Sequence, residues 1–172
     1  MIVLPSCRFY STSSKQWMAR QARDPYCKLA KANQYRARSA FKLVQINDKY
    51  KLIKRNHVVV DCGAAPGGWT QVAAERVSRQ GLVIGIDLLP IDPIPNAHLI
   101  QGNFMQQRTQ QAIRQILQDR PVHLVCSDMA PSFSGHHVAD HARSMELCES
   151  ALAFAEKVLA PGGSFVAKVS SK

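Results

Sequence analysis

The run Val58-Val59-Val60-Asp61-Cys62-Gly63-Ala64-Ala65-Pro66-Gly67-Gly68-Trp69 limits what this chain can fold into more than any other stretch. Three consecutive β-branched residues favour a pleated backbone, and the apolar run is too short and unpatterned for an amphipathic helix, so a strand covered on both faces is expected. Gly63, Gly67 and Gly68 then allow a sharp turn in which bare backbone can approach a ligand. Pro66 has its φ preset and lacks an N–H, which suits the first turn of a helix continuing through residues 69–77. Strand, glycine-rich loop and helix together make half of a nucleotide-binding unit.

The glycine spacing is not G-x-G-x-x-G, so the turn that seats a dinucleotide pyrophosphate on a helix N-terminus is not encoded, and a nicotinamide dehydrogenase is excluded on that ground. No G-K-[ST] follows to form a P-loop. An acid followed by Gly-x-x-x-Gly-Gly better suits a nucleoside that carries an amino acid. S-adenosylmethionine (SAM) is such a molecule, with Asp61 and Gly63 expected beside its amino-acid end. Residues 81–87 read as a second apolar strand ending in Asp87, where a carboxylate can accept from both ribose hydroxyls. Residues 98–104 read as a third strand, with Asn103 placed to meet an adenine edge. A helix is expected over 107–117, and residues 121–128 form a fourth strand that again delivers an acid, Asp128. A helix over 142–159 carries Met145, Cys148, Leu152, Ala155 and Leu159 on one face and is stopped by Ala160-Pro161-Gly162-Gly163. A fifth strand at 164–169 contains Lys168, and a lysine in an apolar strand is costly unless it is paired. The architecture expected is α/β, a doubly wound sheet of five parallel strands with ligands at their carboxyl ends.

Charge is placed unevenly. Residues 1–55 hold thirteen Lys and Arg against Asp24 and Asp48, whereas residues 56–172 hold nine against ten acids. Aromatics Trp17, Tyr26, Tyr35 and Phe41 are interspersed in the basic half, which is the footprint expected of nucleic-acid binding. Within it, a helix from Ser39 as N-cap presents Leu43, Ile46 and Tyr50 as one apolar stripe, and Lys42 stands at its start, where a lysine is not there to cap it. Residues 1–23 contain Arg8, Lys15, Arg20 and Arg23, no acid and the cluster Ser11-Thr12-Ser13-Ser14. That composition is expected of a mitochondrial presequence preceding one domain over 24–172. No stretch approaches the ~20 apolar residues of a membrane span. The five cysteines include no C-x-x-C pair, so neither a metal site nor a disulfide framework is expected.

From about Tyr35 to Val169 the chain resembles the FtsJ-type ribosomal RNA 2′-O-ribose methyltransferases. Phe41-Lys42-Leu43, the block from Asp61 to Trp69, Asp87-Leu88-Leu89-Pro90, Gln101-Gly102-Asn103-Phe104, Ser127-Asp128-Met129-Ala130-Pro131 and Ala160-Pro161-Gly162-Gly163-Ser164-Phe165-Val166 with Lys168 all fall in family order. The resemblance implies a Rossmann-like SAM-dependent methyltransferase fold acting on ribosomal RNA of the large subunit. With the presequence-like start, it points to a mitochondrial matrix member that modifies a uridine. From the family's Lys-Asp-Lys-Glu tetrad, Lys42, Asp128 and Lys168 carry over. SAM contacts carry over to Gly67, Trp69, Asp87, position 103 and Asp128. Two departures stand out. Position 103 is Asn103 where many relatives have Asp, and no acid follows Glu156, so the glutamate and the strands bearing it are expected to be missing. A non-catalytic RNA-binding assembly factor that keeps the SAM-binding fold is the alternative reading.

Overall fold

A computed structural model describes residues 24–131 and 134–169, and the expected presequence lies outside the described residues. In chain order the elements are α1 (Pro25–Ala32), α2 (Ala40–Tyr50), β1 (Val58–Cys62), α3 (Gly68–Val77), β2 (Leu82–Asp87), β3 (Ala97–Gln101), α4 (Gln107–Leu117), β4 (Val122–Ser127), α5 (His137–Val158) and β5 (Leu159–Ala167). The five strands form one sheet in the order β3-β2-β1-β4-β5, and every pairing is parallel. The order reverses between β1 and β4. This is the topological switch point at which loops leave in opposite directions and a crevice opens at the carboxyl ends.

Burial follows the strand period of two. Val58, Val60, Cys62, Ile84 and Ile86 face a core with Ile113 and Leu117 of α4 and Phe154 of α5. Val59, Val83 and Leu124 face the opposite core with Leu43 of α2 and Trp69, Val72 and Val77 of α3. The result is three layers, with α2 and α3 on one side of the sheet and α4 and α5 on the other.

Several local expectations need correction. Ser39 precedes α2 as expected, yet it is itself in the helical region and its side chain makes no capping hydrogen bond. Its carbonyl instead accepts from the Trp69 indole Nε1 at 2.9 Å, which ties α2 to α3. Tyr50 is 60% exposed, because the inward face of α2 runs through Ala40, Leu43 and Asn47. A buried asparagine breaks the apolar pattern but is satisfied, its Oδ1 accepting from Ile53 N at 2.7 Å. Pro66 lies in the turn, joined to Ala65 by a cis peptide, and α3 starts only at Gly68.

At the far end, α5 begins at His137, five residues before the expected start. Asp140, in its first turn, accepts from the amides of Ser134 (2.9 Å) and Gly135 (3.0 Å), folding the preceding loop onto the helix N-terminus where a carboxylate is favoured. The buried face of α5 is Asp140, Ser144, Ala151, Phe154 and Ala155, and Leu152 is 42% exposed. Ala160-Pro161-Gly162-Gly163 lies inside β5. Val122 pairs with Leu159 but Leu124 pairs with Ser164, so these residues bulge out of the ladder. Past the bulge the register is regular to Ser127 opposite Ala167. Lys168 therefore stands just beyond the strand, next to Asp128 rather than inside an apolar ladder.

Part of the basic N-terminal segment serves the fold. The Arg36 guanidinium donates to the carbonyls of Asp92 and Pro93, at 2.7 Å each, and so fixes the proline-rich connection after β2. No described helix is long and apolar enough to cross a membrane.

Candidate active site

The parallel register brings the ends of β1, β2 and β4 level, and each end turns into a loop at the switch point. The loop after β1 folds back on β2, with the amides of Gly63 and Ala64 both donating to Ile86 O, at 2.9 and 3.0 Å. Gly63 has φ +82°, and a Cβ there would lie 2.6 to 2.8 Å from Met129, so only glycine lets the loop after β4 close against the loop after β1. The Asp87 carboxylate accepts from Ala65 N and from Leu89 N, at 2.9 Å each, so one acid at the tip of β2 locks two loops.

These loops enclose a cleft of about 440 Å³. Asp87, Asn103 and Asp128 supply its polar groups, and Ile86, Leu88, Leu89, Phe104 and Met129 are among its apolar walls. Among the described residues it holds two carboxylates and no Lys or Arg. Such a lining favours a ligand with positive charge and an apolar ring, and disfavours a pyrophosphate. Asn103 Oδ1 accepts from Met105 N at 2.9 Å, which orients the amide at the mouth of the cleft and leaves its second lone pair and its NH₂ for a ligand.

A second cavity of about 400 Å³ opens on the other side of Asp128. Among the described residues it is lined by Arg38, Lys42 and Lys168 with Asp128 as the only acid, and by Tyr26 and Phe41. Lys42, on the first turn of α2, is exposed and has no ion-pair partner among the described residues. The Lys168 ammonium forms an ion pair with the Asp128 carboxylate and reaches Asp128 O at 3.3 Å. Their side chains keep 32% and 18% exposure. The lysine expected to need a partner thus has one, the Asp128 carboxylate. Among the described residues, Asp128 is the single one that lines both cavities.

The structure divides the sequence-expected ligand residues into two groups. Gly63, Asp87, Asn103 and Asp128 line the acidic cleft; Gly67, Trp69 and Asp61 do not. Gly67, with φ +112°, is the N-cap of α3, and its amide is already donated to Ala64 O at 2.6 Å. Trp69 is 2% exposed and packs between α2 and α3. Asp61, expected beside an ammonium group, is fully buried. Being one residue before the end of β1 it points into the core toward α3, where Thr70 Oγ1 donates to its Oδ2 at 2.6 Å. Gly85 leaves the room for this, since a Cβ on it would stand 2.8 Å from that hydroxyl. Burial, with lesser opposition from the Thr70 hydroxyl, pushes the Asp61 pKa up to about 7. Gln45 in the second cavity was not singled out from sequence, whereas Arg38 and Tyr26 belong to the segment expected to bind nucleic acid. Its only signal was membership of that basic, aromatic segment. Among the described residues no cluster of His, Cys, Asp or Glu could hold a metal ion.

Together the fold and the two cavities define a class: a Rossmann-like α/β protein with an acidic cleft at its switch point, joined to a cationic cavity through one carboxylate. The description "FtsJ-like methyltransferase" matches residues 35–172. A protein named ribosomal RNA large subunit methyltransferase E from Granulibacter bethesdensis is 47% identical over 169 residues, covering 98% of this chain and 72% of that protein. One of the same name from Acidiphilium cryptum is 50% identical over 166 residues, covering 96% and 72%. Among solved structures, a ribosomal RNA methyltransferase from Plasmodium falciparum superposes with a TM-score of 0.69 at 35% identity, covering 77% of each chain. The chain belongs to the FtsJ-like methyltransferase family.

Members of this family use SAM, and the donor set here fits it. SAM is a net cation carrying a flat base and a ribose diol. The acidic cleft offers carboxylates without competing cations, apolar walls for a base, and an acid at the tip of β2 for the hydroxyls.

Proposed function

We propose that this protein methylates a ribose 2′-hydroxyl, of a uridine, in large-subunit ribosomal RNA in the mitochondrial matrix. The observation that carries the reaction type is the Lys168–Asp128 pair standing at the junction of an acidic cleft and a cationic cavity. Asp87, Asn103 and Asp128 would hold SAM, which supplies an electrophilic methyl group. Arg38 and Lys42 would hold the phosphates of the RNA strand, so that the hydroxyl to be modified lies beside Lys168 Nζ. A 2′-hydroxyl is a weak nucleophile and must lose its proton as the new C–O bond forms. Lys168, whose ion-paired ammonium would first give up a proton to solvent, accepts that proton at Nζ, and Asp128 holds the amine in line. Alignment of the two ligands across a single residue accounts for much of the rate, because it makes the encounter unimolecular. The names of the bacterial relatives support ribosomal RNA as the substrate.

The assay is transfer of a labelled methyl group from SAM to unmodified large-subunit ribosomal RNA, followed by alkaline hydrolysis. A 2′-O-methyl blocks the neighbouring phosphodiester from cleavage, so the label should appear in alkali-resistant dinucleotides. Label in mononucleotides would place the methyl on a base, and RNA binding without transfer would favour an assembly factor. Replacing Asp87 by Ala removes the diol acceptor and unlocks both loops, so calorimetry should show SAM affinity weakened by about 1.5–3 kcal/mol. Unchanged affinity in a folded variant would remove Asp87 from the cofactor site. The matrix location rests on the composition of residues 1–23, a stretch into which the Granulibacter relative also reaches. A reporter fused to residues 1–25 that stayed in the cytosol would refute that part.

A further inference from the structure

The cationic cavity supplies more than charge. A nucleotide has three parts, and the proposed function assigns two of them, phosphate to Arg38 and Lys42 and ribose to Lys168 and Asp128, all of which line this cavity. The third part, the base, needs a flat apolar partner once it leaves its stack. The cavity presents two aromatic rings. Tyr26 on α1 is 49% exposed, and its centroid lies 5.9 Å from that of Phe41 on α2. Phe41 is braced from behind by Tyr35, edge-on at 5.4 Å and 83°. The position of Tyr26 is fixed by Asp24, whose carboxylate accepts from Tyr26 N at 2.8 Å and pairs with the same Arg38 that lines the cavity. A half-exposed tyrosine is thus held over the cavity by a clamp to one of its cations.

We propose that Tyr26, backed by Phe41, is the stacking platform for the base of the nucleotide being methylated, so that α1 sets the position of the ribose by gripping the base. The proposal rests on the reading of the protein as a ribose methyltransferase of RNA. Stacking is sequence-tolerant, because every base has a π-face, so the platform grips the base without choosing it. Identity of the base would have to be read elsewhere.

The test uses the full chain and a large-subunit ribosomal RNA fragment whose methylated nucleotide has been mapped with the unaltered protein. Tyr26→Leu keeps an apolar side chain to cover α2 but removes the π-face. It should raise KM for the RNA roughly tenfold, the lower-to-middle range for loss of one base–aromatic stack, while KM for SAM stays unchanged. Tyr26→Phe keeps the ring and should recover most of the RNA affinity. The same comparison on a fragment with an abasic ribose at the mapped nucleotide isolates the contact, as in a double-mutant cycle. There Tyr26→Leu and the unaltered protein should behave alike. The platform is overturned if Tyr26→Leu matches the unaltered protein on intact RNA, or if the gap persists undiminished on the abasic fragment, which would make Tyr26 merely a packing residue. Failure of the unaltered protein to methylate the RNA at all would instead strike the functional reading, so the two failures are distinguishable.

Discussion

Lys168→Ala should lower methyl transfer by about 10²–10⁴-fold, the range typical of losing a positioned proton acceptor, while the variant still binds SAM. The lysine touches the cavity on the RNA side, and its removal leaves the acidic cleft with the same carboxylates. A cationic cofactor is then held at least as well as before. Lys168→Arg sharpens the test, because arginine keeps the ion pair with Asp128 but cannot give up its proton near neutral pH. If proton acceptance is the role, the arginine variant should be as inactive as the alanine variant. If it is nearly as active as the unaltered protein, Lys168 acts only as a fixed positive charge, and Lys42, the other lysine of the cavity, becomes the candidate acceptor. Single-turnover rates at saturating SAM read the chemical step directly.

The second large effect is on stability. Asp61 has an ordinary value of 3.8 in an unfolded chain and about 7 in its buried site. Between those values the unfolded chain has released the proton and the folded chain retains it. The folded state binds more protons there, so its stability falls as pH rises through this window and levels off above about 7. Each pH unit of the window is worth about 1.4 kcal/mol, or about 4 kcal/mol in all. Asp61→Asn cannot ionise, and its amide oxygen can still accept from the Thr70 hydroxyl. Urea unfolding at several pH values from 4.5 to 8 should show a falling profile for the unaltered protein relative to a flatter one for Asp61→Asn. The variant should be the more stable of the two at pH 8, by up to about 4 kcal/mol. Parallel profiles would mean that Asp61 is not the group that keeps a proton.

The two predictions also mark where the sequence was legible. The strand-loop-helix at 58–77 could be read because β-branched residues, small residues and a glycine cluster act locally. The same holds for α4, whose observed bounds match the expected 107–117. What misled was geometry that depends on a partner. Asp61 looked like a ligand because acids at strand tips usually are, yet it stands one residue too early, and the strand alternation turns it toward Thr70. Tyr50 looked like core because it falls on the helical spacing, but Asn47 takes the inward position through its bond to Ile53. Ala160-Pro161-Gly162-Gly163 looked like a helix stop with no further role. Only pairing with β4 could show that it bulges within β5 and so sets where Lys168 emerges.

The sequence by itself determined the α/β class, a set of short buried strands, and an acid delivered at the end of β2 and of β4. Those follow from propensities and periodicities that each segment carries alone. Only the tertiary structure decided that Lys42 from α2 and Lys168 from the end of β5, 126 positions apart in the chain, line one cavity with Asp128 between them and the acidic cleft. It also decided that Arg36 is consumed by two backbone carbonyls while Arg38 and Lys42 face the cavity. A side chain's charge is written in the sequence, but whether that charge meets a carbonyl, a carboxylate or an open cavity depends on which distant backbone the sheet register brings beside it.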